Sequence, residues 1–306
     1  AEAIEHIQPG GEWLPILETL VDQNPSDAEL TYELARANWR AGDEDAAVRL
    51  AAEAVSKDPD NEYLLYRVAA IAYAVHRYDE AKKWLNNLLD KNPDYLDGLF
   101  LLGCIEARQG EDDKARKTLR RVLEIDPKHF MAHCEMGKLE NRAGNSKAAE
   151  RHLRVTINGY PFFREAYNAL IVSLSRQNKT EEVRELREIL KTLNSWTSQK
   201  LNRLWYAFRN PTSIPPMEAY ELAAELCRVR REDLAERYLE RLIEEGQTND
   251  LQRFLLAQIR FNAGNHKGCL ELLKNIEMPR ITEREMFATL KGWSLLRTGE
   301  IEEART

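Results

Sequence analysis

Five prolines mark off the first half of this chain at one interval: Pro25, Pro59, Pro93, Pro127 and Pro161 each stand 34 residues after the last. Proline lacks an N–H and pushes the residue before it out of the helical region, so a helix ends near each one. Four of the five follow a polar residue suited to a helix end, namely Asn24, Asp58, Asn92 and Asp126. A fixed period of this length predicts an array of small structural units. Each unit buries its apolar face only by stacking on its neighbours.

Other positions keep the same phase. Leu34, Val68, Leu102, Met136 and Leu170 form one apolar series, followed directly by the small residues Ala35, Ala69, Gly103 and Gly137. Ala47, Ala81, Ala115 and Ala149, with Val183 in the fifth period, repeat the small position about a dozen residues on, and Leu85, Leu119 and Leu153 supply a large side chain there. Small residues at both places allow two helices to approach closely. Between them Gly42, Gly110 and Gly144, with His76 and Asn178 in register, mark a turn where a left-handed residue is needed. Each period is therefore two helices and a tight turn. Composition agrees: Gly (14) and Pro (11) are few, and the chain is rich in Ala, Leu, Glu, Arg and Lys, which lose least on entering a helix.

These positions, in lines such as LLGCIEARQGEDDKARKTLRRVLEIDP, resemble the tetratricopeptide repeat (TPR). The resemblance covers residues 28–195 as five consecutive units. It implies an all-α fold, a right-handed superhelical solenoid of antiparallel helix pairs. The family's tryptophan near the start of the first helix is missing, and Thr31, Leu65, Leu99, His133 and Tyr167 stand in its place. Upstream, Trp13, Leu17 and Leu20 fit a partial or capping repeat over 1–27. Residues 196–216 read as an extra amphipathic helix, 197–209, and a proline-rich hinge, Asn210 to Pro216. Over 217–306 two further TPR-like units and a truncated third follow, the last carrying Gly292, Gly299 and Ala304. The natural protein is expected to continue past that unit, or a partner to cover it.

Signs of catalysis are lacking. The sequence contains no G-x-x-x-x-G-K-[ST], G-x-G-x-x-G, H-E-x-x-H or G-x-S-x-G, so we expect no enzyme, no cofactor and no metal site. Cys104, Cys134, Cys227 and Cys269 form no C-x-x-C pair and read as buried small residues. His129, His133 and Cys134 are the nearest thing to a ligand cluster, and their places in the repeat favour packing. Asn178-Lys179-Thr180 matches a glycosylation sequon by pattern alone. A formal charge of −7 counts against nucleic acid as partner. No run approaches the roughly 20 apolar residues that a membrane span needs, so no membrane insertion is expected. The sequence leaves cytoplasm and periplasm both open, and says nothing of oligomeric state.

The resemblance implies that first helices line the inner face, and the residues there are suggestive. Tyr32, Tyr66 and Phe100 share one phase, with Trp39 and Tyr73 further along their helices. Beside them stand Arg40, Arg108, Arg142 and Arg176, again in one phase, and Arg36, Arg67 and Lys138. Aromatic rings and arginine are the commonest binding anchors. We therefore expect a non-catalytic protein-interaction scaffold holding a protein or peptide segment, acidic with apolar anchors. The Lys/Asn-rich clamp of TPR cochaperones is not matched, since its sites hold Tyr32, Arg36, Arg67, Asp97 and Leu101. Two other readings are a helical arm of a larger bacterial envelope or secretion protein or enzyme and, more weakly, an RNA-binding repeat.

Overall fold

The computed structural model describes residues 13–210, 214–274, 276, 284–300 and 304. Among them lie seventeen α-helices and no strand. The chain divides into two compact units, 1–145 and 146–306. The first contains α1 (Leu14–Gln23), α2 (Ala28–Ala41), α3 (Glu44–Lys57), α4 (Glu62–Ala74), α5 (Tyr78–Lys91), α6 (Leu96–Arg108), α7 (Asp112–Ile125) and α8 (Phe130–Arg142).

In this unit α2 with α3, α4 with α5 and α6 with α7 form hairpins, α1 packs on α2, and α8 stacks on α7. Each hairpin turn is left-handed, at Gly42 (φ 87°), His76 (φ 62°) and Gly110 (φ 78°). Short side chains begin several helices: Asp27, Asp43 and Asn61 accept from the backbone N–H three residues on, and His129 does so through Nδ1. At the prolines the chain makes one recurring turn, in which the N–H of Asp27, Asn61, Tyr95 and His129 reaches back to the carbonyl of Asn24, Asp58, Asn92 and Asp126.

Alanines from both helices, Ala35, Ala47, Ala69, Ala81 and Ala115, are fully buried where the hairpins close. At Gly103 a Cβ would lie 2.8 Å from the Leu119 side chain, so only glycine admits that approach without a shift. One member of the apolar series departs from expectation. Leu34, Val68 and Met136 are buried, whereas Leu102 is half-exposed and packs on the margin of the core, and its neighbour Leu101 is the buried residue. Thr31 explains how a small polar residue replaces the family tryptophan. It is fully buried, donates to the Asp27 carbonyl (2.7 Å) and accepts from Lys57 Nζ (2.7 Å), so its hydroxyl is satisfied inside the repeat.

The second unit contains α9 (Ser146–Gly159), α10 (Arg164–Ser175), α11 (Thr180–Asn194), α12 (Ser198–Arg209), α13 (Pro216–Arg228), α14 (Glu232–Glu244), α15 (Asp250–Asn262), α16 (His266–Lys274) and α17 (Arg284–Thr298). Left-handed turns recur at Asn178, Arg230, Gly264 and Gly299. The helix expected at 197–209 is α12, pinned by Trp205 stacked at 3.9 Å on Tyr160 and by Lys200, which pairs with Glu225 on α13 (2.6 Å) and lies over Trp196. Of the proline-rich break, 211–213 lie outside the described residues.

Two arginines close helix ends in this unit. Arg164 donates to the carbonyls of Leu193 (3.1 Å) and Trp196 (2.6 Å) at the end of α11, and Arg231 donates to Ile157 (3.1 Å) in the last turn of α9. A cation suits the negative pole of a helix. Tyr167, also at the family's tryptophan position, is buried and donates its hydroxyl to the Pro161 carbonyl (2.8 Å).

Candidate functional site on the first helices

In the first unit the 34-residue phase sets α2, α4, α6 and α8 in sequence, with equivalent residues recurring on one face. Tyr32 is buried, while Tyr66 and Phe100 remain half-exposed. Each of the latter two rests on the residue just before the next first helix: Tyr66 on Tyr95 (ring centroids 5.8 Å) and Phe100 on His129 (4.9 Å). Those contacts are the same contact one period apart, since Tyr95 and His129 share a phase with Asn61. Burial pushes the Tyr66 hydroxyl up to about 12, with Asp97 adding to the shift, so the phenol stays protonated and able to donate. Burial also lowers the readiness of His129 to take a proton.

Arg67 is the centre of the charge pattern. Its guanidinium lies 3.7 Å over the Tyr32 ring and 5.0 Å from that of Tyr63, bonds Glu33 at 2.7 Å and also pairs with Glu29. Burial works against its charge, and the bonds to Glu29 and Tyr32 more than offset that. Arg36 pairs with Glu33, and Lys138 with Glu135 (2.8 Å). Arg142 reaches Asp112 (2.7 Å) and the Ala107 carbonyl (3.1 Å). Arg108 donates from Nε to the Tyr73 hydroxyl at 2.7 Å. The basic ladder expected of this face is thus largely engaged by the protein's own acids and phenols. Arg40 differs, being exposed with no ion-pair partner among the described residues, beside Trp39, 39% exposed. Arg176, expected in the same ladder, lies exposed at the end of α10 in the second unit.

Two residues escaped the sequence reading. Tyr63, 61% exposed, belongs to no recurring series, and Tyr95 lies in the turn between periods. Its phase with His129 was the available signal.

No group of three or more His, Cys, Asp or Glu able to hold a metal occurs among the described residues. His129 is committed to its helix cap, His133 Nε2 lies 3.1 Å from the Pro127 carbonyl, and Cys134 is fully buried. Burial pushes the Cys104 and Cys227 thiols up, away from reactivity. No described helix is long and apolar enough to cross a membrane.

The profile of the tetratricopeptide repeat matches three overlapping stretches, residues 14–71, 38–102 and 72–134. Residues 14–134 are built on tetratricopeptide repeats. Among curated proteins none matches. Solved structures similar to this chain include a tetratricopeptide repeat protein from Parabacteroides merdae, 17% identical over 88% of this chain and 99% of that one (TM-score 0.47). MamA from Desulfovibrio magneticus is 15% identical over 55% of this chain and 95% of its own (0.49). YrrB, described as a TPR protein with an unusual peptide-binding site, is 17% identical over 60% and 94% (0.44).

Proposed function

We infer that this TPR chain is a non-catalytic interaction scaffold, and that the first-helix face of its first unit holds an extended segment of a partner protein. The observation that carries this reading is the aromatic row of Tyr63, Tyr66, Tyr95 and Phe100, half-exposed or exposed on successive first helices and the turns between them. Rings of this kind offer large rigid contact area at small entropic cost, and a row at a fixed repeat suits an extended chain better than a compact ligand. Apolar anchors on the partner remain part of the reading. An acidic partner does not, because Arg36, Arg67, Lys138 and Arg142 already face carboxylates of this chain.

Binding of peptides to wild type and Tyr66→Ala tests the reading by calorimetry. Loss of a central aromatic anchor should weaken a groove ligand by about 1–3 kcal/mol. Equal affinity for both proteins, with folding unchanged, would place the ligand elsewhere.

A further inference from the structure

The tyrosine cluster of α2, α4 and the turn before α6 has a pattern of donors and charge that narrows the kind of segment it fits, given that the first-helix face is the binding face. Tyr32 and Tyr63 both lie against the Arg67 guanidinium (3.7 and 5.0 Å), Tyr66 packs on Tyr95 (ring centroids 5.8 Å), and Tyr32, Tyr63 and Tyr95 all act electrostatically on the Tyr66 phenol, which sets four hydroxyl-bearing rings in one patch. Tyr63, Tyr66 and Tyr95 make no side-chain hydrogen bond through their hydroxyls among the described residues, so three donors are available on an aromatic surface. Burial holds Tyr66 and Tyr95 in the protonated, donating form.

Charge gives the second constraint. Glu29, Glu33, Arg36 and Arg67 pair among themselves, two acids with two bases. Glu62, whose carboxylate accepts from Asn92 (2.9 Å), and Asp97, exposed beside Tyr66 with no ion-pair partner among the described residues, are left over. The patch is therefore acidic at its open edge.

A ligand for such a surface needs flat apolar groups to lie on the rings, backbone carbonyls free to accept from the phenols, and a positive charge. A helix keeps its carbonyls for itself. A polyproline II segment has no internal hydrogen bonds, presents its carbonyls outward, and loses little entropy on docking. We propose that this patch binds a proline-rich segment in the polyproline II conformation that carries a lysine or arginine beside its prolines. The basic side chain meets Asp97 and Glu62, and the prolines lie against Tyr63, Tyr66 and Tyr95.

Fluorescence anisotropy on the full chain with labelled synthetic peptides tests this. The probes are a Pro-x-x-Pro peptide with one arginine, its glutamate counterpart, and an acidic amphipathic helical peptide of the same length. The arginine peptide should bind about tenfold tighter than the glutamate peptide. Tyr63→Ala, at a site exposed enough to spare the fold, should weaken it by about tenfold, and Tyr66→Phe, which keeps the ring and removes the donor, by a few-fold. Asp97→Asn should shrink the preference for arginine over glutamate. Stronger binding of the glutamate or helical peptide, or indifference of the arginine peptide to both tyrosine changes, overturns the proposal. A random peptide array probed with wild type and Tyr66→Ala separates the ligand class from the groove itself. Peptides that are sensitive to Tyr66 yet lack prolines overturn the ligand class and leave the groove standing; if no bound peptide is sensitive to Tyr66, both fall.

Discussion

The two units use the same residue types for different ends. In the first, aromatic rings on first helices stay partly open to solvent at Tyr63, Tyr66 and Phe100, and arginines pair across neighbouring periods. In the second, Tyr160, Phe163, Trp205 and Phe208 stack on one another and fasten α12, while Arg164 and Arg231 close the ends of α11 and α9. An aromatic that completes a junction is no longer offered to a ligand. The first unit's hairpins stack without such a junction, and Tyr63, Tyr66 and Phe100 stay partly open to solvent. The second unit accommodates α12 with rings from the turn before α10, Tyr160 and Phe163, and from α12 itself, Trp205 and Phe208.

The largest effect should come from the regular unit's core. Leu119 is fully buried against Gly103, and Leu119→Ala should cost about 2–5 kcal/mol. If the units are as distinct as their contacts imply, chemical denaturation followed by hydrogen exchange should show the loss over α4 to α8 and little change over α13 to α16. A uniform loss across the chain would instead show that the two units unfold as one.

Next in size is the removal of a helix-closing arginine. Arg164→Ala leaves two carbonyls at the end of α11 without their donor, and a cost of about 1–3 kcal/mol is expected. Faster exchange should be confined to α11 and the start of α12. The matching change in the first unit, Arg108→Ala, removes one exposed contact to Tyr73 and should alter stability by less than about 0.5 kcal/mol.

A smaller, pH-dependent effect also separates the units. Glu150 on α9 accepts from Lys179, Gln177 and Arg154, and these bonds outweigh its burial to hold its carboxyl at about 2, below its ordinary 4.5. A carboxyl depressed in the folded state stabilises above its unfolded value, and the benefit fades as pH falls from about 4.5 toward about 2. Acid should therefore loosen α9 to α11 over that window. Glu150→Gln should be less stable at neutral pH and show a flatter acid limb in circular dichroism melts.

The fold was legible because its signals are local. Prolines, turn residues and small residues recur at one phase, and each acts within its own helix or hairpin. Even there the phase misplaced Leu102, since a helix rotates about 100° per residue and the buried stripe falls between it and Leu101. The face was legible in residue type but not in state. Arg67 with Glu29, Arg108 with Tyr73 and Arg142 with Asp112 join residues in adjacent periods, and no local pattern shows that those side chains meet. Aromatic rows survive such reading better than charged ones, because a ring half-buried at its base still presents its edge, while a paired guanidinium no longer offers its charge.

Hydrogen–deuterium exchange of the full chain with and without its tightest array-selected peptide shows directly which helices a ligand covers. Exchange should slow in α2, α4, α6 and the turn around Tyr95, with the second helices α3, α5 and α7 and the whole of the second unit unchanged. Protection confined to the second unit, or to those second helices, would contradict binding on the first-helix face.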